Sequence, residues 1–191
     1  MNLFLSPHND DETLFGSFTI LRHKPHVVVC LKSQVQEDRH GITAVTREGE
    51  TDQAMWWLQA ASWEQFGITD TNPRYEEYLH DALTRLRVTY KPEIVWAPAI
   101  EDGGHEQHNG VGRVALDVFG EVQPYLTYRR GYLGSRGRQV PFEPSWIGTK
   151  LRAMSCYQSQ YELPATRPWF TDNTLYEFTP WPKGSETEDG A

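Results

Sequence analysis

The chain has 191 residues, a formal net charge of −8, and 38% hydrophobic and 13% aromatic residues. That length fits one domain with its own core, and so many aromatics argue against a disordered chain. The negative balance argues against broad nucleic-acid binding and against docking on an anionic membrane, and no window approaches the ~18 consecutive apolar residues of a membrane span.

Leu3, Phe4 and Leu5 form a short apolar run that suits a buried strand, and Ser6-Pro7 stops it because proline has no N–H for a neighbouring strand. From Asp11 to Arg22, Leu14, Phe15, Phe18, Ile20 and Leu21 recur at close to helical spacing, and Lys24-Pro25 ends the segment. His26–Leu31 is rich in β-branched residues, as in a central parallel strand. Residues 32–41 are polar and charged and read as a loop over the sheet's edge.

A helix is expected from Thr43 to about Ala61, with Val45, Met55, Trp56, Leu58 and Ala61 on its apolar face and Arg47 and Glu50 facing elsewhere. Trp63–Phe66 suits a short strand. Asn72-Pro73 opens a second helix, Arg74 to Val88, with proline at its first turn. Glu93–Ala97 is the next strand, followed by a Gly-rich loop and a helix over Val111–Phe119. Gln123–Arg129 reads as a further strand, residues 131–144 as irregular, and Ser145 to about Gln158 as a last helix. Ser159 onward reads as loop, and residues 182–191 as a disordered tail.

This alternation implies an α/β fold: one Rossmann-like domain over residues 1–181, a three-layer sandwich whose sheet is mostly parallel. No Gly-x-Gly-x-x-Gly follows the first strand, so the dinucleotide fingerprint is absent, and no Gly-x-Ser-x-Gly elbow supports a serine hydrolase. In open α/β sheets the active site lies at the carboxyl ends of the strands. There the first strand delivers His8, Asn9, Asp10, Asp11 and Glu12. Capping and the helix dipole account for one or two of the acids. Adjacent carboxylates repel each other unless a cation stands beside them, either a divalent metal or a structural ion-pair network. Of seven histidines, His105 and His108 alone share this setting, in the loop after the strand at 93–97. His23, His26, His40 and His80 read as ordinary histidines.

Ser6-Pro7-His8-Asn9-Asp10-Asp11-Glu12 resembles the His-x-Asp-Asp-Glu signature of the PIG-L/LmbE-like N-acetylglucosaminyl deacetylases, and Gly103-Gly104-His105-Glu106-Gln107-His108 resembles their second motif, His-Pro-Asp-His. Arg47-x-x-Glu50 is similar to the family's Arg-x-x-Glu helix, and Lys150-x-x-Ala153-x-x-x-Tyr157-x-Ser159-Gln160 to its C-terminal segment. The resemblance runs from residue 2 to about 160. It implies a zinc-dependent hydrolase that removes an acetyl group from an N-acetylated amino sugar or glycoconjugate, with Fe(II) acceptable to the same donors. His8, Asp11 and His108 would hold the metal, Asp10 would be the acid/base, and His105 would stabilise the oxyanion or else cap the following helix.

Arg47 would contact sugar hydroxyls or else pair with Glu48 or Glu50. Ser159 and Gln160 would support the pocket wall. Trp56, Trp57, Tyr157 and Trp169 would stack on a sugar or fill the core. Gln107 departs from the family's acid, which leaves the charge of His105 to Asp102 or Glu106. The alternative is a non-catalytic carbohydrate- or metal-binding module on the same fold. A metal-dependent phosphoesterase would call for a second metal and more ligands. With two cysteines, Cys30 and Cys156, no basic-then-apolar leader and no membrane anchor, a cytoplasmic protein with reduced thiols is expected.

Overall fold

The computed structural model describes residues 1–128, 137–164, 166–171 and 176–181. The expected tail at 182–191 and residues 131–136 of the irregular stretch at 131–144 lie outside these residues. Strand β1 (Leu3–Ser6) is wholly buried, and Pro7 ends it. Helix α1 (Asp11–His23) follows, closed by Lys24 in the left-handed region ahead of Pro25. Strand β2 (His26–Val29) leads to α2 (Gln34–His40), where a loop was expected. The Asp70 carboxylate stabilises this short helix by accepting the Gln34 N–H at 2.9 Å.

Helix α3 (Ala44–Leu58) is capped by the Thr43 hydroxyl, which accepts the Thr46 N–H. Its buried face differs from the expected one. Val45 and Trp56 are 78% and 71% exposed, while Arg47, Glu50 and Thr51 are buried with Met55 and Leu58. Polar partners at the site bury Arg47, Glu50 and Thr51, so hydrophobicity alone misassigned the face. Strand β3 (Ser62–Gln65) and helix α4 (Tyr75–Tyr90) come next, with Pro73 just ahead of the Arg74 cap rather than inside the helix.

Strand β4 (Val95–Pro98) precedes α5 (Glu106–Phe119), which begins five residues earlier than periodicity indicated. Strand β5 (Gln123–Tyr125) is shorter than expected, because Leu126 turns its N–H away to the Phe178 carbonyl. A two-residue strand β6 (Arg138–Gln139), helix α6 (Pro144–Ser155), short helices α7 (Gln158–Tyr161) and α8 (Arg167–Thr171), and strand β7 (Phe178–Thr179) complete the described chain. The segment after Ser159 is therefore partly ordered, and β6 pairs antiparallel with β7.

The main sheet runs β3-β2-β1-β4-β5 with every pairing parallel. Alternate side chains serve two cores. Phe4, Val27 and Trp96 meet α1, α3 and α6, while Leu3, Leu5, Val28, Val95 and Ala97 meet α4 and α5. Two glycines bring the site-bearing helices close to the sheet. A Cβ on Gly16 of α1 would stand 2.1 Å from Phe4 Cζ, and one on Gly112 of α5 would stand 2.4 Å from the Pro98 carbonyl oxygen. Strand order reverses between β1 and β4, so the loops after these two strands open a crevice at the switch point.

Candidate active site

The crevice is a cavity of about 820 Å³, lined by His8, Asp10, Asp11, Arg47, His105 and Gln107 among others. His8 comes from the β1–α1 turn, Asp11 opens α1, and His108 comes from the first turn of α5. One ligand-type atom from each of the three lies within 4.8 Å of the others, and they are the one such group among the described residues. Asp11 Oδ2 is the hub. It accepts the His8 N–H at 3.0 Å and lies 3.3 Å from His8 Nδ1 and 3.1 Å from His108 Nε2.

His108 is fully buried, and Thr127 Oγ1 holds its Nδ1 at 3.0 Å. Its Nε2 faces the hub, buried and without a hydrogen bond. A buried imidazole nitrogen that meets a carboxylate without a well-formed hydrogen bond, while its other nitrogen is fixed, suits a cation ligand. Two imidazoles and one carboxylate are also a donor set that zinc accepts. The residues thus fit the metal that the sequence motifs implied.

Burial works to raise the Asp11 carboxyl, but the His108 and His8 imidazoles pull it well below the ordinary carboxylate range. Asp10 goes the other way. Burial raises it well above that range; the Arg47 guanidinium opposes the shift, and Asp11, Glu12 and Glu50 add to it. Two adjacent carboxylates therefore differ sharply in proton affinity, the arrangement that separates acid/base from ligand roles. Asp10 is also in an unusual backbone conformation, φ 105° and ψ −34°.

Arg47 pairs with Asp10 at 3.2 Å and donates to the Asn9 carbonyl. The Glu50 carboxylate accepts both the N–H and the hydroxyl of Ser159 at 2.7 Å. His105 occupies the cap position of α5 without a side-chain cap bond. Its ring lies 5.9 Å from that of His8 and 4.8 Å from that of His108. Gln107 donates to the Asp70 carbonyl at 2.9 Å, Glu106 pairs with Arg113 at 2.6 Å, and Asp102 is exposed. Asp70 thereby joins three rim loops, since its carboxylate also accepts from Ser33.

Of the aromatics weighed for stacking, Trp56 faces solvent, Tyr157 is fully buried, and the Trp169 side chain lies outside the described ones. Tyr128 takes the wall position instead, its ring 5.8 Å from His105 and 5.0 Å from His108. Burial, with Asp11 and Asp10 adding, raises its phenol far above the ordinary value. Thr127, Tyr128 and Asp70 carried no motif that sequence reasoning could use. Glu12 and Tyr157 stood inside motifs, but nothing in the spacing told their roles.

Residues 3–119 match the family model PIG-L, GlcNAc-PI de-N-acetylase. The chain belongs to the PIG-L family. No curated protein matches it significantly. Among solved structures, this PIG-L-family chain is similar to a deacetylase of the teicoplanin biosynthetic pathway, with 18% identity, TM-score 0.72, and coverage of 88% of this chain and 87% of that one. It is similar to N,N'-diacetylchitobiose deacetylase from Pyrococcus horikoshii at 18% identity and TM-score 0.67, over 88% of this chain and 73% of the other. It is also similar to GalB, the 4-carboxy-2-hydroxymuconate hydratase from Pseudomonas putida, at 17% identity and TM-score 0.62, over 97% and 98%. Likeness at these identities establishes the fold. Among the described residues, no helix is long and apolar enough to cross a membrane.

Proposed function

We propose that this PIG-L-family chain is a metal-dependent hydrolase that removes the acetyl group from an N-acetylated amino sugar or glycoconjugate. The observation that carries this reading is the division of labour at one strand end. His8, Asp11 and His108 face one point, while Asp10 stands beside them on Arg47 with its proton affinity raised. A pure binding module has no use for that acid/base.

His8, Asp11 and His108 would hold the cation, zinc by the donor types, with Fe(II) suited to the same set. Such a cation, when bound, acidifies water and polarises the amide carbonyl. Asp10 takes a proton from the attacking water as the water's oxygen bonds to the acetyl carbon. It then delivers the proton to the amide nitrogen as the C–N bond breaks, leaving acetate and a free amine. His105 faces the carbonyl oxygen and stabilises the negative charge that gathers there. Arg47, on the wall beside Asp10, is assigned to a sugar hydroxyl as well as to Asp10 itself.

Likeness to GalB along nearly the whole of both chains supports a second reading, addition of water to a carbon–carbon double bond. The same acid/base would serve it. One screen separates the readings: N-acetylated sugars and glycoconjugates assayed for acetate release, with and without a chelator, and with Asp10→Asn as control. Chelator-sensitive acetate release that falls by about 10²–10⁴ in Asp10→Asn is the expected outcome. Metal-loaded wild-type protein that binds sugars tightly but releases no acetate would overturn it.

A further inference from the structure

Asp10 adopts φ 105°, a strained region that an L-residue keeps only where its surroundings enforce it. The enforcing contacts fall on the Asn9–Asp10 peptide group ahead of its Cα, while the Asp10 carbonyl behind it accepts the Thr13 and Leu14 N–H groups at 2.9 Å. The Asn9 carbonyl accepts from Arg47, and the Asp10 N–H donates to Glu12 Oε2 at 3.0 Å. Turning Asp10 back to an ordinary φ would break at least one of them.

Glu12 is fully buried, so its own orientation must be fixed by donors. Oε1 accepts from Tyr157 and from Thr13 Oγ1 at 3.1 Å. Oε2 lies 3.2 Å from Ser6 Oγ, whose shorter bond goes to the His8 carbonyl at 2.8 Å. Tyr157, also fully buried, does more than cap Glu12. The Arg47 guanidinium lies over its ring at 5.7 Å. Its hydroxyl is 3.1 Å from Thr51 Oγ1, which accepts from the Asn9 side chain at 2.8 Å. One tyrosine thus touches both side chains that grip the Asn9–Asp10 backbone, Arg47 and Glu12, and also Thr51, which holds the Asn9 side chain, from a position between α6 and α7 far along the chain.

Building on the hydrolase reading above, we propose that Tyr157, acting through Glu12, is a positioning residue that holds Asp10 in its strained, reactive conformation. The side chain reaches neither the cavity nor the three ligand-type residues. Its effect should therefore fall on the turnover step and not on metal or substrate binding.

The test compares Tyr157→Phe, which keeps the ring under Arg47 and removes the hydroxyl, with Glu12→Gln as a second variant and with the double variant. Loss of one such hydrogen bond should lower kcat about tenfold with KM and metal content little changed. Amide exchange at Asp10 should speed up by about the same factor while the amides of β1, β2 and β4 keep their protection. The double variant should lose little more than either single change, since both cut one connection. Wild-type exchange at Asp10 in both variants would overturn the inference. So would a lower Tm with unchanged kcat per metal-loaded molecule, the sign of plain structural support. The exchange experiment needs no substrate. Rapid exchange in the variants beside a wild type that releases no acetate would uphold the positioning and sink the hydrolase reading instead.

Discussion

Lys150 and Glu177 form an ion pair at 2.8 Å with both side chains at zero exposure. They are also bound to the backbone of α1. Lys150 Nζ donates to the Leu14 carbonyl at 2.7 Å, and the Phe18 N–H donates to both Glu177 oxygens at 3.0 Å. Leu14 and Phe18 are four residues apart, so their carbonyl and N–H are the natural partners of one helical hydrogen bond. The pair engages both groups from outside the helix. Burial pushes the Lys150 amine down and the Glu177 carboxyl up, with each partner pulling the other back.

Lys150→Met leaves a buried carboxylate, and Glu177→Leu leaves a buried ammonium. Each should cost about 3–5 kcal/mol, or a fall in Tm of roughly 6–20 °C for a chain of this size. Removing both charges leaves the Leu14 carbonyl and the Phe18 N–H with each other as partners inside the helix. The double variant should therefore be more stable than either single one, as apolar replacement of a buried pair often is. Urea unfolding of the metal-free protein, followed by far-ultraviolet circular dichroism, measures all four corners of the cycle. A double variant that loses the sum of the two single losses would refute the coupling.

Alanine at His8, Asp11 or His108 should sharply lower metal content in a folded protein, whereas His105→Ala should keep the metal and slow turnover by about 10²–10³. Metal analysis beside kcat distinguishes the two classes, and metal loss in His105→Ala would make it a ligand. Because φ 105° suits glycine, Asp10→Gly should be more stable than Asp10→Asn by about 1 kcal/mol in urea titration, and the reverse order would deny the strain. Burial raises the Asp10 carboxyl, so the acid limb of the kcat/KM profile should lie above the ordinary carboxylate range. Arg47 favours the charged form, so Arg47→Met should move that limb to still higher pH; a limb that stays or moves down would remove Asp10 as the titrating group.

Much of this molecule was legible before any coordinates. Alternating β-branched strands and periodic helices gave the α/β class, because burial on both faces of a parallel sheet leaves that imprint on composition. That His8, Asp10, Asp11, His105 and His108 would gather at one crevice was legible because adjacent acids and histidines at two strand ends are costly without a shared purpose. The buried face of α3 was not. Arg47, Glu50 and Thr51 point inward because Asp10, Ser159 and Tyr157 meet them there, and those partners lie far away in sequence. The same holds for the bond of Thr127 to His108, the knot of rim loops at Asp70 and the pair that engages α1. Local sequence records what a residue costs to bury. Which distant group offsets that cost is decided only when strand order β3-β2-β1-β4-β5 brings the loops together.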